Sequence, residues 1–194
     1  MTDPSAAAAL PEPARRTLQH TRLVQYRGYQ RSDGWWDVEG ELLDNKAQQW
    51  RSSEKGEMQP GQPVHHMLVR VTFDGGLTVL EANAAMPETP FPECMQARAP
   101  LHLLVGASLG PGWRRAIEAA LGGARGCAHL RELLFGLGTA AYQTLGPTLE
   151  KQAQAATPGG GAQPLRHFGQ CVAWDYAGDV MKRHHPAFYR SGDQ

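Results

Sequence analysis

Apolar and polar positions alternate with a period near two in two stretches of the chain, then give way to a longer period. Arg22 to Arg31, the turn signal Ser32-Asp33-Gly34 and Trp35 to Leu43 predict one hairpin. Val64 to Phe73, the turn Asp74-Gly75-Gly76 and Leu77 to Ala85 predict a second, and the polar residues 45 to 62 between them predict a loop. Beyond Met86 the spacing becomes helical. Cys94 to Val105 predicts a helix with Pro100 at a kink or boundary. Trp113, Ile117 and Leu121 mark a short amphipathic helix stopped by Gly122-Gly123, and Leu130, Leu133, Leu134, Leu137, Ala141 and Leu145 form the stripe of a third that starts at Cys127. The elements predict an α+β class: a small antiparallel sheet of two hairpins packed against about three helices.

The ends carry less pattern. Residues 1–16 are rich in Ala and Pro and read as a disordered leader, 17–150 as the α+β domain, 151–164 with its Gly159-Gly160-Gly161 run as a flexible linker, and 165–194 as a C-terminal strap or hairpin. With 194 residues, 41% of them apolar, the chain suits one core. Nineteen Lys and Arg balance nineteen Asp and Glu, so no net charge draws it to nucleic acid or an anionic membrane. Arg15, Arg16, Arg22, Arg27 and Arg31 do make the first segment basic, but Asp33, Asp37, Glu39, Glu41 and Asp44 follow on its partner strand, where cross-strand pairing explains the pattern as well as a nucleic-acid partner does. A nucleic-acid partner is not expected. No apolar run reaches the ~20 residues that span a bilayer, so no membrane partner is expected either. Three cysteines without short-range pairing suggest reduced thiols and a cytoplasmic location.

Candidate chemistry sits at the starts of elements. A helix start leaves unpaired N–H groups and a partial positive charge, which holds a first-turn cysteine closer to thiolate, and Cys127-x-His129 is placed there. His65-His66 open the third strand, and Cys94 opens the first helix. Mixed thiolate and imidazole ligands suit Zn²⁺ or an iron–sulfur cluster better than Mg²⁺ or Ca²⁺. The candidate metal ligands are therefore His65 or His66, Cys94, Cys127 and His129, with Glu132 or Asp33 available to orient a histidine. Cys171, inside Phe-Gly-Gln-Cys-Val-Ala-Trp, reads as a small buried hydrophobe, and His184-His185 read as exposed. Of Trp35 and Trp36, neighbours on a strand, one is expected in the core and the other outside it.

Tyr29-x-Arg31-x-Asp33-Gly34, His65-x-Met67, Pro90-Phe91-x-x-Cys94, Gly112-Trp113-Arg114 and Gly126-Cys127-x-His129-Leu130-x-Glu132-Leu133 together resemble a bacterial family of domains of unknown function, over about residues 15 to 185. In that family the middle position of the histidine motif is usually aspartate; here it is His66. More distantly, the order of these settings resembles U-type iron–sulfur cluster assembly scaffolds, with His65-His66 before a strand, Cys94 at a helix start and Cys127-x-His129 at a later helix start. The scaffold resemblance implies a cofactor held for a protein partner. The combined reading is a metal-binding accessory protein that holds or delivers Zn²⁺ or a cluster. One alternative is a small-molecule enzyme using metal-activated water or the Cys127 thiolate; another is a structural interaction module with inert thiols.

Overall fold

The computed structural model describes residues 10–155 and 164–191. Strands β1 (His20–Gln30), β2 (Trp36–Lys46), β5 (Pro63–Phe73) and β6 (Val79–Glu88) form one antiparallel sheet in the order β1-β2-β5-β6. Both expected hairpins are present. The stretch expected to be loop holds a further small one, β3 (Trp50–Ser52) with β4 (Gly56–Met58), whose three-residue strands are too short to show a period. A 3₁₀ helix over Pro92–Leu104 follows the sheet, then α1 (Trp113–Leu121), α2 (Ala128–Ala155) and α3 (Asp179–His184). The sheet with its three helices confirms the α+β class.

Alternation decides which face is buried. On β2, Trp36, Val38, Gly40, Leu42 and Asp44 point inward, and on β5 Met67, Val69, Val71 and Phe73 do the same. The helical layer covers this face. Leu130, Leu133, Leu134, Leu137, Ala141 and Leu145 of α2 are fully buried against it, as the stripe required, and α1 adds Trp113, Ile117 and Leu121. The opposite face carries the charges in cross-strand pairs, Arg27 with Glu41 at 3.5 Å and Arg70 with Glu39 at 2.6 Å, which accounts for the basic and acidic runs. Trp36 is core while Trp35 is exposed.

Glycines let side chains from the facing layer close in on the backbone where α2 meets the sheet. A Cβ on Gly28 would collide with Thr144 of α2, and one on Gly136 would collide with the phenol of Tyr26. That phenol donates to the carbonyl of Leu133 at 3.2 Å, and the indole of Trp113 donates to the carbonyl of Leu134 at 2.6 Å. Gly136, a poor helix former in isolation, is thus the position where a ring from β1 meets the helix. The N-terminal turns of α2 are pinned over the ends of β1, β2 and β5.

The remaining segments depart from the pattern in places. Leu10 to Gln19 is exposed and without regular structure; the rest of the expected leader lies outside the described residues. Helix α2 continues through Pro147 to Ala155, past the expected start of a linker at 151, and residues 156–163 of that linker lie outside the described residues. Cys94 to Val105 forms a 3₁₀ rather than an α-helix, with Pro92 in its first turn and Pro100 within it. The C-terminal stretch is a strap of short turns around α3, anchored by Phe168 and Met181, with no strand among its described residues.

Candidate metal centre

Three side chains converge where the sheet meets the first turn of α2. Asp44 lies near the end of β2 at an inward position, His65 near the start of β5 shares the inward parity of Met67 and Val69, and His129 projects down from α2. One ligand atom from each lies within 4.8 Å of the other two. Asp44 Oδ2 is 3.1 Å from His65 Nδ1 and 3.7 Å from His129 Nε2. The two imidazoles touch in a tilted arrangement, with ring centroids 3.9 Å apart and planes inclined by 34°.

Asp44 is the hub of this group. A carboxylate 2% exposed needs a full set of partners, and it has one. His20 Nε2 and Arg22 Nε reach Oδ1 at 3.1 and 2.7 Å, while Arg22 Nη2 reaches Oδ2 at 2.8 Å, a two-pronged guanidinium clasp. Register makes this possible, since Arg22 on β1 pairs directly with Asp44 on β2. Burial acts to raise the carboxyl's pKa, but the hydrogen bonds and charge of Arg22 outweigh it and hold Asp44 below the usual carboxylate range. The third nitrogen of Arg22 donates to Glu132 of α2 at 2.5 Å, tying helix to sheet beside the group.

Cys127 caps the helix. Its carbonyl accepts the N–H of Arg131 at 3.0 Å, and its sulfur lies 3.7 Å from His129 Nδ1. Burial works to raise the thiol's pKa, but hydrogen bonds from His129 and from the backbone N–H groups of Leu130 and His129 prevail, and the thiol is shifted toward thiolate as the helix-start argument required. The same contact raises the pKa of His129. Burial, aided by the neighbouring His129 charge, lowers that of His65. Of the two rings in contact, the one on the helix is the better proton holder.

The structure therefore gathers His65, His129 and Cys127 and leaves other candidates elsewhere. His66 points to the open face of the sheet, where its Nε2 meets Glu41 at 2.9 Å. Cys94 packs against the core from the 3₁₀ helix and is not among the converging atoms. Glu132 binds Arg22 rather than a histidine, and Asp33 binds Arg31. Cys171 is exposed, contrary to its reading as a buried hydrophobe, because the strap leaves it outside the core. His185 packs against Phe168. Asp44 is absent from the ligands expected from the sequence: the expected cross-strand pairing is present in its contact with Arg22, but its place in the inward series Trp36, Val38, Gly40, Leu42 adds it to the candidate site.

A family model described as a protein of unknown function, DUF2889, matches residues 20–143, which include every member of this group. The chain belongs to that family. The match ends before the strap, so the DUF2889 region comprises the sheet, α1 and the site-bearing half of α2. No curated protein and no solved structure matches the chain. The resemblance to iron–sulfur scaffolds finds no support in these comparisons, and among the described residues no set of cysteines converges on one point. No helix among the described residues is long and apolar enough to cross a membrane.

Proposed function

We propose that this DUF2889 protein is a metal-binding accessory protein taking one divalent transition ion of the Zn²⁺ class at Asp44, His65 and His129. The observation that carries the reading is the convergence of two imidazole nitrogens and a carboxylate oxygen, from three separate elements, within 4.8 Å. Ligands at about 2.0–2.1 Å around a tetrahedral ion stand about 3.3 Å apart, close to the 3.1 and 3.7 Å separations that Asp44 makes with the two rings. Borderline nitrogen donors with a single carboxylate favour Zn²⁺, Fe²⁺ or Co²⁺ over Mg²⁺ or Ca²⁺. Cys127 acts on the far side of the ring: with Nδ1–H directed at its sulfur, His129 presents the Nε2 lone pair to the ion. Three protein ligands leave a coordination position for water or for a donor from a protein partner.

Anaerobic purification, metal analysis and Co²⁺ titration followed by absorption test the reading. Binding of one equivalent of metal is expected, lost in Asp44→Asn, His65→Ala and His129→Ala, weakened about 10–100-fold in Cys127→Ala, and retained in Cys94→Ala and His66→Ala. A protein of normal stability that takes up no Zn²⁺ or Co²⁺ would sink it.

A second reading is favoured by the Cys127–His129 contact: an enzyme in which the thiolate attacks a small-molecule electrophile. Alkylation separates the two. Fast labelling of Cys127 in metal-loaded protein at neutral pH supports the nucleophile; labelling that is slow whether or not metal is bound supports the orienting role.

A further inference from the structure

Asp44 carries its own counter-ion, and the geometry says where that counter-ion can go. Arg22 clasps both oxygens of Asp44 through Nε and Nη2 while its remaining nitrogen already rests on Glu132. The Asp44 side chain is 3% exposed, the Arg22 side chain 31% and Glu132 55%, so the guanidinium lies on a path from a buried carboxylate to a surface one. Because Arg22 and Asp44 are directly paired across β1 and β2, moving along that path needs a side-chain rotation and no change of register. A dication seated at Oδ2 would stand within a few ångströms of Nη2, and two like charges at such a distance in a half-buried site repel strongly. With Arg22 in place, however, the charge of Asp44 is balanced by the chain itself.

Resting on the metal-binding reading above, we propose that Arg22 is a built-in competitor of the metal: guanidinium and dication exchange at Asp44, with Glu132 receiving the displaced arginine, so that the centre loads and unloads with the fold intact. A site of this kind behaves differently from a structural zinc site, whose ligands repel one another or unfold when the ion is removed. It suits a protein that passes an ion on or reports its concentration. Occupancy follows the free metal level, and the unloaded protein stays folded. Glu132, on the first turns of α2 and at the surface, is also the group through which a loaded state would differ in charge pattern from an unloaded one.

Co²⁺ titration of the full-length chain, with melting measured on chelator-treated and Co²⁺-loaded samples, tests this in wild type, R22M, E132Q and the double variant. R22M is expected to bind Co²⁺ about tenfold more tightly or better, as typical for coupled sites, and to melt at lower temperature after chelator treatment, with Co²⁺ restoring it. E132Q is expected to weaken Co²⁺ binding when Arg22 is present and to have no effect in the R22M background, whereas a direct field effect of Glu132 would persist in both. Should R22M fail to fold, R22K, which keeps a charge but loses the fork, is expected to tighten binding by a smaller factor. Unchanged or weaker binding in R22M or R22K overturns the exchange and leaves Arg22 as a residue that merely positions Asp44. Co²⁺ uptake by R22M when wild type takes up none overturns the exchange, because the natural centre then never loads. Uptake by no variant overturns both this proposal and the metal centre on which it rests.

Discussion

His65 and His66 are neighbours on one strand, each hydrogen-bonded to a carboxylate of β2, yet they inhabit different chemistry. His66 meets Glu41 on the open face, where both side chains are 30% exposed and water screens their attraction. His65 meets Asp44 beneath α2, where His129, Arg22 and His20 crowd the same carboxylate. The pleat alone separates them, because consecutive side chains on a strand face opposite sides. An imidazole–carboxylate contact is thus an ordinary surface pair on one face and part of a candidate ion site on the other.

The harshest way to break the comparison is to remove the layer that makes one face an inside. Leu134→Asp places an unpaired carboxylate among the fully buried leucines of α2 at a cost of several kcal/mol against a total stability of about 5–15, and loss of the cooperative melting transition is expected. Normal melting would mean that α2 does not cover the sheet. Next in size, Asp44→Ala strands Arg22, His20 and His65 without their acceptor. Breaking a buried pair costs about 3–5 kcal/mol, and partial exposure of Arg22 reduces this to roughly 2–3. Denaturant unfolding should show that loss for Asp44→Ala and about 0–1 kcal/mol for Glu41→Ala on the other face. Equal losses would erase the distinction between faces.

Acid sharpens it further. Asp44 is held below its ordinary pKa, so its contribution to stability is present above that ordinary value and is lost as pH falls through the lowered one. Wild type should therefore lose stability relative to Asp44→Asn as pH drops through the acidic range, and parallel pH profiles would contradict the Arg22 clasp. The smallest expected effect is on Cys171→Ala, which should change melting by only a few tenths of a kcal/mol, since an exposed side chain gives up little on truncation.

What the sequence disclosed follows the length of its periodic runs. Both long hairpins and the leucine stripe were legible because ten or so residues of alternation or 3.6-residue spacing leave little ambiguity. The three-residue strands around Trp50 and Met58 were not, and neither was the 3₁₀ form of Pro92–Leu104, which two prolines favour over an α-helix. Three of the five side chains at the candidate site were legible from residue type: His65, Cys127 and His129 stand out as ligand-capable residues. Asp44 was hidden by its company, one acid among four on a strand opposite a basic one, and Arg22 for the mirror-image reason. Parity would have found them. Asp44 shares the inward series of Leu42, and His65 that of Met67, so counting by twos from the core selects Asp44 over Glu41 and His65 over His66.

Two glycines, Gly28 on β1 and Gly136 on α2, set the clearance between the layers in the way a shim sets a gap. Gly28 admits Thr144 and Gly136 admits the ring of Tyr26, so the distance from His129 to Asp44 depends on side chains that are absent several residues from either. A methyl at Gly136 would wedge the helix away from the strand near Leu133 while leaving every polar atom of the site in the chain. The reach of the imidazole to the carboxylate would lengthen, and with it the radius of the ion the pair could grip. Ion selectivity at the proposed centre would then be adjustable from positions that carry no chemistry of their own, one carbon at a time.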